Sequence, residues 1–162
     1  MGEKARTEFR KLTPDDAEIV AELDFKCFGA NDACNSKYFF KSAQDERKEF
    51  WVCEHDGKII ACAGAEINSD TAEIESLAVD PEYRRQGIAT ILLIKLINAI
   101  KKRGATFIIL EVRPSNKAAI ELYKGFGFQI VEREKDYYLD EDAWIMAREF
   151  LDGQDYFQTY DA

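Results

Sequence analysis

The sequence predicts one mixed α/β domain in which helices flank a central, twisted and mostly antiparallel sheet. Two β-rich runs, 50–55 and 58–67, surround an Asp-Gly dipeptide that is typical of a tight antiparallel hairpin. Apolar residues recur at the helical period over residues 88–103. A continuous apolar run at 106–112 then predicts a strand that is buried on both faces. Hairpin strands, a long helix and a buried strand together indicate helices packed on a sheet.

The N-terminal part predicts a short strand followed by a helix. The strand is expected over residues 9–12. Thr13 is suited to cap the helix, because a proline and two aspartates follow it at the positive end of the helix dipole. We expect this helix to end near Cys27. The segment 29–48 is polar apart from one aromatic cluster, and it predicts a second short helix between loops.

The rest of the chain predicts three more strands and one more helix. A strand over residues 71–79 follows a turn at Asn-Ser-Asp. The long helix ends in Lys-Lys-Arg-Gly, a cationic last turn followed by a glycine stop. After the apolar strand, a short helix ends at Gly125, and residues 127–133 and 143–149 predict a closing antiparallel pair.

Length and composition indicate a single domain. The chain has 162 residues, of which 46% are hydrophobic, enough to bury one sizeable core. We expect a domain over residues 1–150 and an acidic tail over residues 151–162. The tail carries three aromatic residues; disorder is the default for it, and packing against a neighbouring subunit is the alternative. The protein is expected to be a monomer or a homodimer.

The charge balance restricts the class of partner. Lys and Arg number 22 against 31 Asp and Glu, a formal charge of -9 that repels nucleic acid and anionic membranes and favours a basic peptide or a small amine. No run approaches a membrane span and no hydrophobic signal segment follows the start, so we expect a cytoplasmic location. The four cysteines lack CxxC spacing and there is one histidine, which suggests no metal site and no disulfide framework.

The segment between the 71–79 strand and the long helix has the features of an anion cradle. It reads Leu-Ala-Val-Asp-Pro-Glu-Tyr-Arg-Arg-Gln-Gly-Ile-Ala-Thr over residues 77–90. A helix N-terminus offers free N–H groups and the positive end of the dipole, and Gly87 and Ala89 let a pyrophosphate approach the backbone. If Gly87 were the only one of these features present, an ordinary solvated turn would be the preferred interpretation.

Two stretches resemble the GNAT N-acetyltransferases. Arg84, Gly87 and Ala89 fill the acetyl-CoA motif of that family, Q/R-x-x-G-x-G/A. Residues 110–128 read Leu-Glu-Val-Arg-Pro-Ser-Asn-Lys-Ala-Ala-Ile-Glu-Leu-Tyr-Lys-Gly-Phe-Gly-Phe, which is similar to the ribosomal-protein alanine N-acetyltransferases, the RimI-like branch. The resemblance implies the GNAT fold, in which the sheet is splayed at a parallel strand pair and acetyl-CoA enters the gap.

The resemblance also implies roles for individual residues. Glu111 would be the general base, and Tyr123 the acid that protonates the departing thiolate. Glu75 is a second candidate base, because other GNAT enzymes use a carboxylate on this strand. Tyr137 and Tyr138 resemble the hairpin tyrosines that cover the first residues of a protein substrate. Contacts with acetyl-CoA are implied for Leu77, Ala78, Val79, Arg84, Arg85, Gln86, Gly87, Ile88, Ala89, Thr90, Asn116 and Tyr123.

The chemistry of acetyl transfer supports a base at Glu111. A thioester is already activated, so an enzyme must supply a neutral amine, a polarised carbonyl and a protonated sulfur. Strand alternation places Glu111 on the face of Phe107 and Ile109, where desolvation raises a carboxyl pKa. A salt bridge with Arg113, on the same face, is the alternative.

Tyr123 and Glu75 each have a structural alternative. A tyrosine at the end of a short helix is often a core aromatic residue. Alternation places Glu75 on one face with Glu73, Leu77 and Val79, so a solvated acidic strand face competes with a catalytic role.

We therefore expect an N-acetyltransferase that uses acetyl-CoA, most simply on the N-terminal α-amine of a protein such as a ribosomal protein. A polyamine or amino-sugar acetyltransferase is the first alternative, and a non-catalytic acetyl-CoA-binding module is the second. One loop departs from the family pattern: after Cys27-Phe28 the chain reads Gly-Ala-Asn-Asp rather than Pro-Trp. That loop borders the expected amine site.

Overall fold

The computed structural model of the chain describes residue 2 and residues 4–150. The acidic tail expected over residues 151–162 lies outside the described residues. The strands are β1 (Thr7–Lys11), β2 (Lys48–His55), β3 (Lys58–Asn68), β4 (Thr71–Val79), β5 (Phe107–Val112), β6 (Gln129–Glu134) and β7 (Ala143–Glu149). The helices are α1 (Ala17–Asp32), α2 (Ser36–Ser42), α3 (Ile88–Lys102) and α4 (Lys117–Gly125). Among the described residues, no helix is long and apolar enough to cross a bilayer.

The strands form one mixed sheet in the order β1-β2-β3-β4-β5-β7-β6. All neighbours are antiparallel except β4 and β5, which are parallel. The β4–β5 ladder starts at Thr71 and Phe107 and ends at Ile74 and Leu110. Beyond that last pair the two strands separate and leave a gap between the second half of β4 and the end of β5. The splayed, mostly antiparallel sheet expected from the sequence is confirmed.

Helices cover both faces of the sheet and enclose two cores. The α3-side core lies between the sheet and α3, and the α1-side core lies between the sheet and the α1–α2 pair. The first includes Ile60, Ile74, Leu93, Ile108 and Met146. The second includes Val20, Leu23, Phe39, Val52 and Cys62.

The first helix extends beyond its expected end. Thr13 precedes a short 3-10 turn, and its N–H and hydroxyl both donate to Asp16, at 2.8 and 3.0 Å. The expected end near Cys27 is wrong, because α1 continues to Asp32. Gly29, with φ 76°, interrupts the regular helix, and one further turn follows it. The glycine therefore bends the helix at the place where the sequence predicted an end.

The burial of β5 differs from the expectation of a strand buried on both faces. Ile108, Leu110 and Val112 are buried in the α3-side core, whereas Phe107 on the other face is 39% exposed. The reason is that α1 packs mainly against β3 and β4. The face of β5 that carries Glu111 is therefore only partly covered.

A β-bulge in β4 changes which residues share a face. Ala65 pairs with Ile74 and Gly64 pairs with Ser76, so Glu75 is an extra residue without a partner on β3.

The bulge moves the residues after it to the opposite face. Ile74 packs in the α3-side core, and so do Leu77 and Val79, which ideal alternation would have placed on the other face. The expectation that Glu73 and Glu75 share a face with Leu77 and Val79 is therefore wrong. The two glutamates precede the point of reversal.

Candidate active site

The first turn of α3 presents backbone N–H groups at one end of the gap. Gly87 caps this helix in the left-handed conformation, with φ 79°. The N–H of Ile91 bonds to the carbonyl of Gly87, so the N–H groups of Ile88, Ala89 and Thr90 precede the helical hydrogen bonds. A Cβ atom at Gly87 would meet nothing within 4 Å. The loop thus offers open space in front of unpaired amides, which suits an anion.

The three residues before Gly87 complete this loop. Arg84, Arg85 and Gln86 are exposed, and Arg85 has a positive φ of 62°. The Nε of Arg84 donates to the carbonyl of Val79 at 3.0 Å, which fixes the loop against the end of β4. The predicted cofactor-binding residues 77–79 and 84–90 therefore lie together at the end of β4 and the start of α3, whereas Asn116 and Tyr123 belong to α4.

Glu111 lies at the edge of the gap and has an unusual pKa. Burial raises the pKa of Glu111 to about 7, and a hydrogen bond with Glu73 and the charges of Glu73 and Glu134 act in the same direction. The alternative salt bridge is not formed, because Arg113 pairs with three other carboxylates. A carboxyl group with a pKa near neutral can accept a proton from an amine and release it again.

Glu75, the second candidate base, is engaged in a network. The Tyr38 hydroxyl donates to its carboxylate, and Lys48 Nζ lies 2.8 Å from the same oxygen. Lys48 Nζ also lies 4.7 Å from the centroid of the Tyr38 ring. Glu75 therefore does not lie on a solvated face: its carboxylate connects α2 and β2 to the bulge in β4. A role as base would require these contacts to break.

Tyr123 is a core aromatic residue, and this does not conflict with the role of an acid. Its ring is 5% exposed and packs edge-to-face on Phe128, with centroids 5.8 Å apart. Burial raises the pKa of the Tyr123 hydroxyl, which is therefore protonated at neutral pH. Asn116 caps α4 by accepting from the N–H of Ala119 at 3.2 Å, which leaves its amide NH2 for a ligand.

Tyr137 and Tyr138 lie in the loop between β6 and β7. Their rings are nearly perpendicular, with centroids 4.8 Å apart. Burial raises the pKa of Tyr137, and the charges of Glu111, Glu73 and Glu134 raise it further, so its hydroxyl lies near these carboxylates. The structure thus brings both tyrosines to the side of the gap that carries the candidate base.

Sequence reasoning missed several partners of the site. Glu73, Tyr38 and Lys48 had no assigned role, and Arg113 was considered only as a partner of Glu111. One signal was available: Tyr38 belongs to the aromatic cluster of an otherwise polar segment. Among the described residues, no group of three or more His, Cys, Asp or Glu side chains could hold a metal ion.

Comparison with known proteins identifies similar chains. Residues 17–128 match the model of the acetyltransferase (GNAT) family. The [ribosomal protein bS18]-alanine N-acetyltransferase of Escherichia coli K12 is 41% identical over 116 residues, covering 69% of this chain and 78% of that one. The putative enzyme of the same description from Bacillus subtilis is 32% identical over 145 residues, covering 88% and 95%. The crystal structure of the Escherichia coli S18-alanine enzyme has a TM-score of 0.82 at 33% identity, covering 93% of this chain and 98% of that one.

Proposed function

The chain belongs to the GNAT family of acetyltransferases, and we propose that it transfers the acetyl group of acetyl-CoA to the N-terminal α-amine of a cytoplasmic protein, with a ribosomal protein as the expected substrate class. The observation that carries this proposal is the gap itself. A helix start with free backbone N–H groups lies at its β4 end, and Glu111, with a pKa of about 7, lies at its β5 edge. The relatives described above are named for acetylation of an alanine of ribosomal protein bS18, which supports the substrate class.

The residues around the gap fit acetyl-CoA. The pyrophosphate would lie on the amides of residues 88–90, with Arg84 and Arg85 nearby. The β4–β5 ladder ends before residues 77–79, so β5 does not pair with the backbone there. Apart from the Val79 carbonyl, which accepts from Arg84 and Cys27, backbone groups on this side would be available to the pantetheine amides. Asn116 and Tyr123 would contact the cofactor from the α4 side.

The proposed chemistry is direct transfer. The amine nitrogen bonds to the thioester carbon while Glu111 accepts the amine proton, and a backbone N–H of residues 77–79 that faces the gap stabilises the carbonyl oxygen. The carbon–sulfur bond then breaks, and the Tyr123 hydroxyl donates its proton to the sulfur. One preorganised donor to such an oxygen contributes roughly 3 to 4 kcal/mol in other enzymes.

The pKa of Glu111 favours an α-amine over a lysine side chain. At pH about 7.4, an α-amine of pKa roughly 7.7 to 8.0 needs less than about 1 kcal/mol to lose its proton, whereas a lysine near 10.4 needs about 4. A single carboxylate base is sufficient to deprotonate the α-amine. Tyr137 and Tyr138 would contact the substrate backbone behind its first residue, which a lysine side chain cannot present in the same way.

The test is a substrate panel read by mass spectrometry. It contains an Ala-initiated basic peptide, the same peptide with a blocked N-terminus, and spermidine. The free peptide is expected to react fastest, with the acetyl group on its α-amine. Equal rates on free and blocked peptides would indicate a general amine acetyltransferase, and faster reaction with spermidine would indicate a small-molecule enzyme. No reaction with any amine, despite acetyl-CoA binding, would indicate a non-catalytic module.

The substitution of both Tyr137 and Tyr138 by Phe tests the role of the hairpin. Both rings remain, so the packing of the loop is retained while the hydroxyl groups are lost. The KM for the free peptide is expected to rise by a larger factor than the rate of any lysine acetylation falls. An unchanged KM would remove the two hydroxyls from the proposed substrate contacts.

A further inference from the structure

Arg113 connects three walls of the amine site. Its Nε and Nη2 lie 2.8 and 2.7 Å from a carboxylate oxygen of Asp32. Its Nη1 lies 2.7 Å from Asp140 and 3.3 Å from Glu141. The guanidinium carbon also lies 4.2 Å from the centroid of the Tyr138 ring. One side chain at the end of β5 thus holds three carboxylates and an aromatic ring, and we call this set the Arg113 clasp.

The first wall is the last turn of α1. Gly29 bends the helix, and Asp32 lies three residues beyond it, in the turn that approaches β5. The positive φ of 76° at Gly29 is a conformation that other residues adopt only with strain. This is also the loop where the chain has Gly-Ala-Asn-Asp in place of the Pro-Trp of the RimI-like pattern. The departure from the family pattern therefore supplies the carboxylate that Arg113 binds.

The second wall is the loop between β6 and β7. Glu141 accepts from both the N–H and the hydroxyl of Ser115, each at 2.8 Å. The N–H of Tyr138 donates to the carbonyl of Glu141 at 2.9 Å. The ring that would cover the substrate is thereby connected to the segment that follows β5, the third wall.

Charge explains why the clasp depends on an arginine. The Arg113 guanidinium holds the pKa of Asp140 below its usual range, and hydrogen bonds from Ser115 and Arg113 do the same for Glu141. Asp140 and Glu141 are therefore ionised at neutral pH and would repel each other without the cation between them. Lysine offers one point charge, whereas the planar guanidinium can bridge several carboxylates and stack on a ring.

We propose that Arg113 is a positioning residue that closes the amine site by holding Tyr138 and the end of α1 against the end of β5, and so selects amines whose attached chain fits under the hairpin. The proposal rests on the proposed function and deepens it. Arg113 lies two residues after Glu111, directly beyond the end of β5, so the clasp fixes the substrate walls relative to the candidate base. Misplacement of a substrate by about 1 Å can slow a reaction on the order of 100-fold.

The kinetic test uses Arg113→Gln, Arg113→Lys and Asp32→Asn. The matched control is Arg133→Gln, because Arg133 pairs with Asp142 at the other side of the same loop. Arg113→Gln is expected to raise the KM for the free peptide about tenfold or more and to reduce the preference for free over blocked peptide. The affinity for acetyl-CoA should stay within about twofold of wild type, because no residue of the clasp is among the predicted contacts with acetyl-CoA. The KM of Arg113→Lys for the free peptide should lie between the values of Arg113→Gln and wild type. The KM of the control should match that of wild type.

A readout that needs no activity separates this inference from the proposed function. Hydrogen exchange of the amides in 29–35 and 135–142 should increase in Arg113→Gln and Asp32→Asn. Arg133→Gln, whose partner Asp142 lies in the second segment, should leave exchange in 29–35 unchanged. Unchanged exchange and unchanged KM in folded Arg113 variants would overturn the clasp. Equal losses of peptide and acetyl-CoA affinity would show a general structural role and would also overturn it. If Arg113→Gln does not fold, Arg113→Lys and Asp32→Asn provide the same comparison. A wild-type enzyme that ignores the peptide N-terminus would contradict the proposed function, whatever the exchange data show.

Discussion

Glu73 and Glu111 lie on neighbouring parallel strands; burial raises the pKa of Glu111, and the neighbouring Glu73 carboxyl group raises it further. Glu111 therefore retains its proton to a higher pH than an isolated carboxyl group would. The resulting pKa of Glu111, about 7, is suited to a base that acts on an α-amine near neutral pH.

The first prediction concerns the pH dependence of the rate. Glu111→Gln is expected to lower kcat/KM by about 10² to 10⁴, with the largest loss above pH about 7, where the wild-type side chain is ionised. Glu73→Gln should move the wild-type inflection near pH 7 to lower pH, because the negative neighbour is removed. Glu149→Gln, at the far end of β7, is the control. An inflection that does not move in Glu73→Gln would contradict the coupling of the pair.

The same shift predicts how stability depends on pH. Because the folded pKa of Glu111 lies above its ordinary value of 4.5, its favourable contribution to stability is complete below pH 4.5 and is lost as the pH rises through 7. Glu111→Gln has no such loss, so its stability relative to wild type should increase between pH 5 and 8. The increase is expected to be on the order of 1 kcal/mol, since water screens a half-buried group. Urea unfolding at the two pH values measures it, and a constant difference would contradict the raised pKa.

Local sequence signals were sufficient for most of the fold. The Asp-Gly hairpin, the helix α3 and the bounds of β4 follow from turn chemistry and periodicity within short windows, and the structure confirms them. The bulge at Glu75 was missed because it depends on how β3 pairs with β4. The sequence does offer one signal, since Gly64 lies inside β3 at the register shift and a glycine inside a strand often marks a bulge. This register shift of one residue reversed the faces of Leu77 and Val79, since side chains alternate with a period of two.

The candidate site was predicted residue by residue but without its partners. The phosphate loop and the pair Glu111 and Tyr123 lie in two continuous motifs, so the sequence displays them directly. The contact of Lys48 with Glu75 joins residues 27 positions apart, and the contact of Arg113 with Asp32 joins residues 81 positions apart. Such contacts arise only from the tertiary fold, which is why the pattern of charges along the chain did not indicate them.

The second prediction tests the phosphate loop. Gly87→Glu should weaken acetyl-CoA binding by about 100-fold or more, because it adds bulk and negative charge in front of the amides that would bind pyrophosphate. Gly104→Glu is the matched control: this glycine follows α3, also has a positive φ and also has open space around it. Both variants place a side chain and a negative charge at a position of positive φ. Calorimetry that finds equal affinities in the two folded variants would remove the phosphate-loop assignment.

The third prediction separates the hydroxyl of Tyr123 from its ring. Tyr123→Phe should lower kcat by about 10² or more with little change in acetyl-CoA affinity, because the hydroxyl is proposed to act only as the sulfur departs. Its melting temperature should stay close to that of wild type, since the contact with Phe128 is retained. Phe128→Leu is the complementary variant, which loses packing but keeps the hydroxyl. If Phe128→Leu lowers kcat as much as Tyr123→Phe, packing explains the effect and the acid role fails.

The fourth prediction decides between the two candidate bases. Glu75→Gln is expected to lower the free energy of unfolding by about 1 to 3 kcal/mol, because the largely buried Lys48 loses its charged partner. The kcat of the folded fraction should fall by less than about tenfold, in contrast to the loss in Glu111→Gln. Urea unfolding and initial rates on the free peptide provide the two measurements.

Lys48→Gln makes this comparison independent of charge at position 75. If Glu75 anchors the bulge, the removal of either partner breaks the same contact, so Lys48→Gln and Glu75→Gln should change stability and rate in parallel. If Glu75 is the base, Lys48→Gln leaves the base in place, and the two variants should differ in rate by far more than in stability. Full activity in Glu111→Gln together with complete loss in Glu75→Gln would assign the base to Glu75. The Glu73–Glu111 pair would then be a structural contact at the edge of the gap.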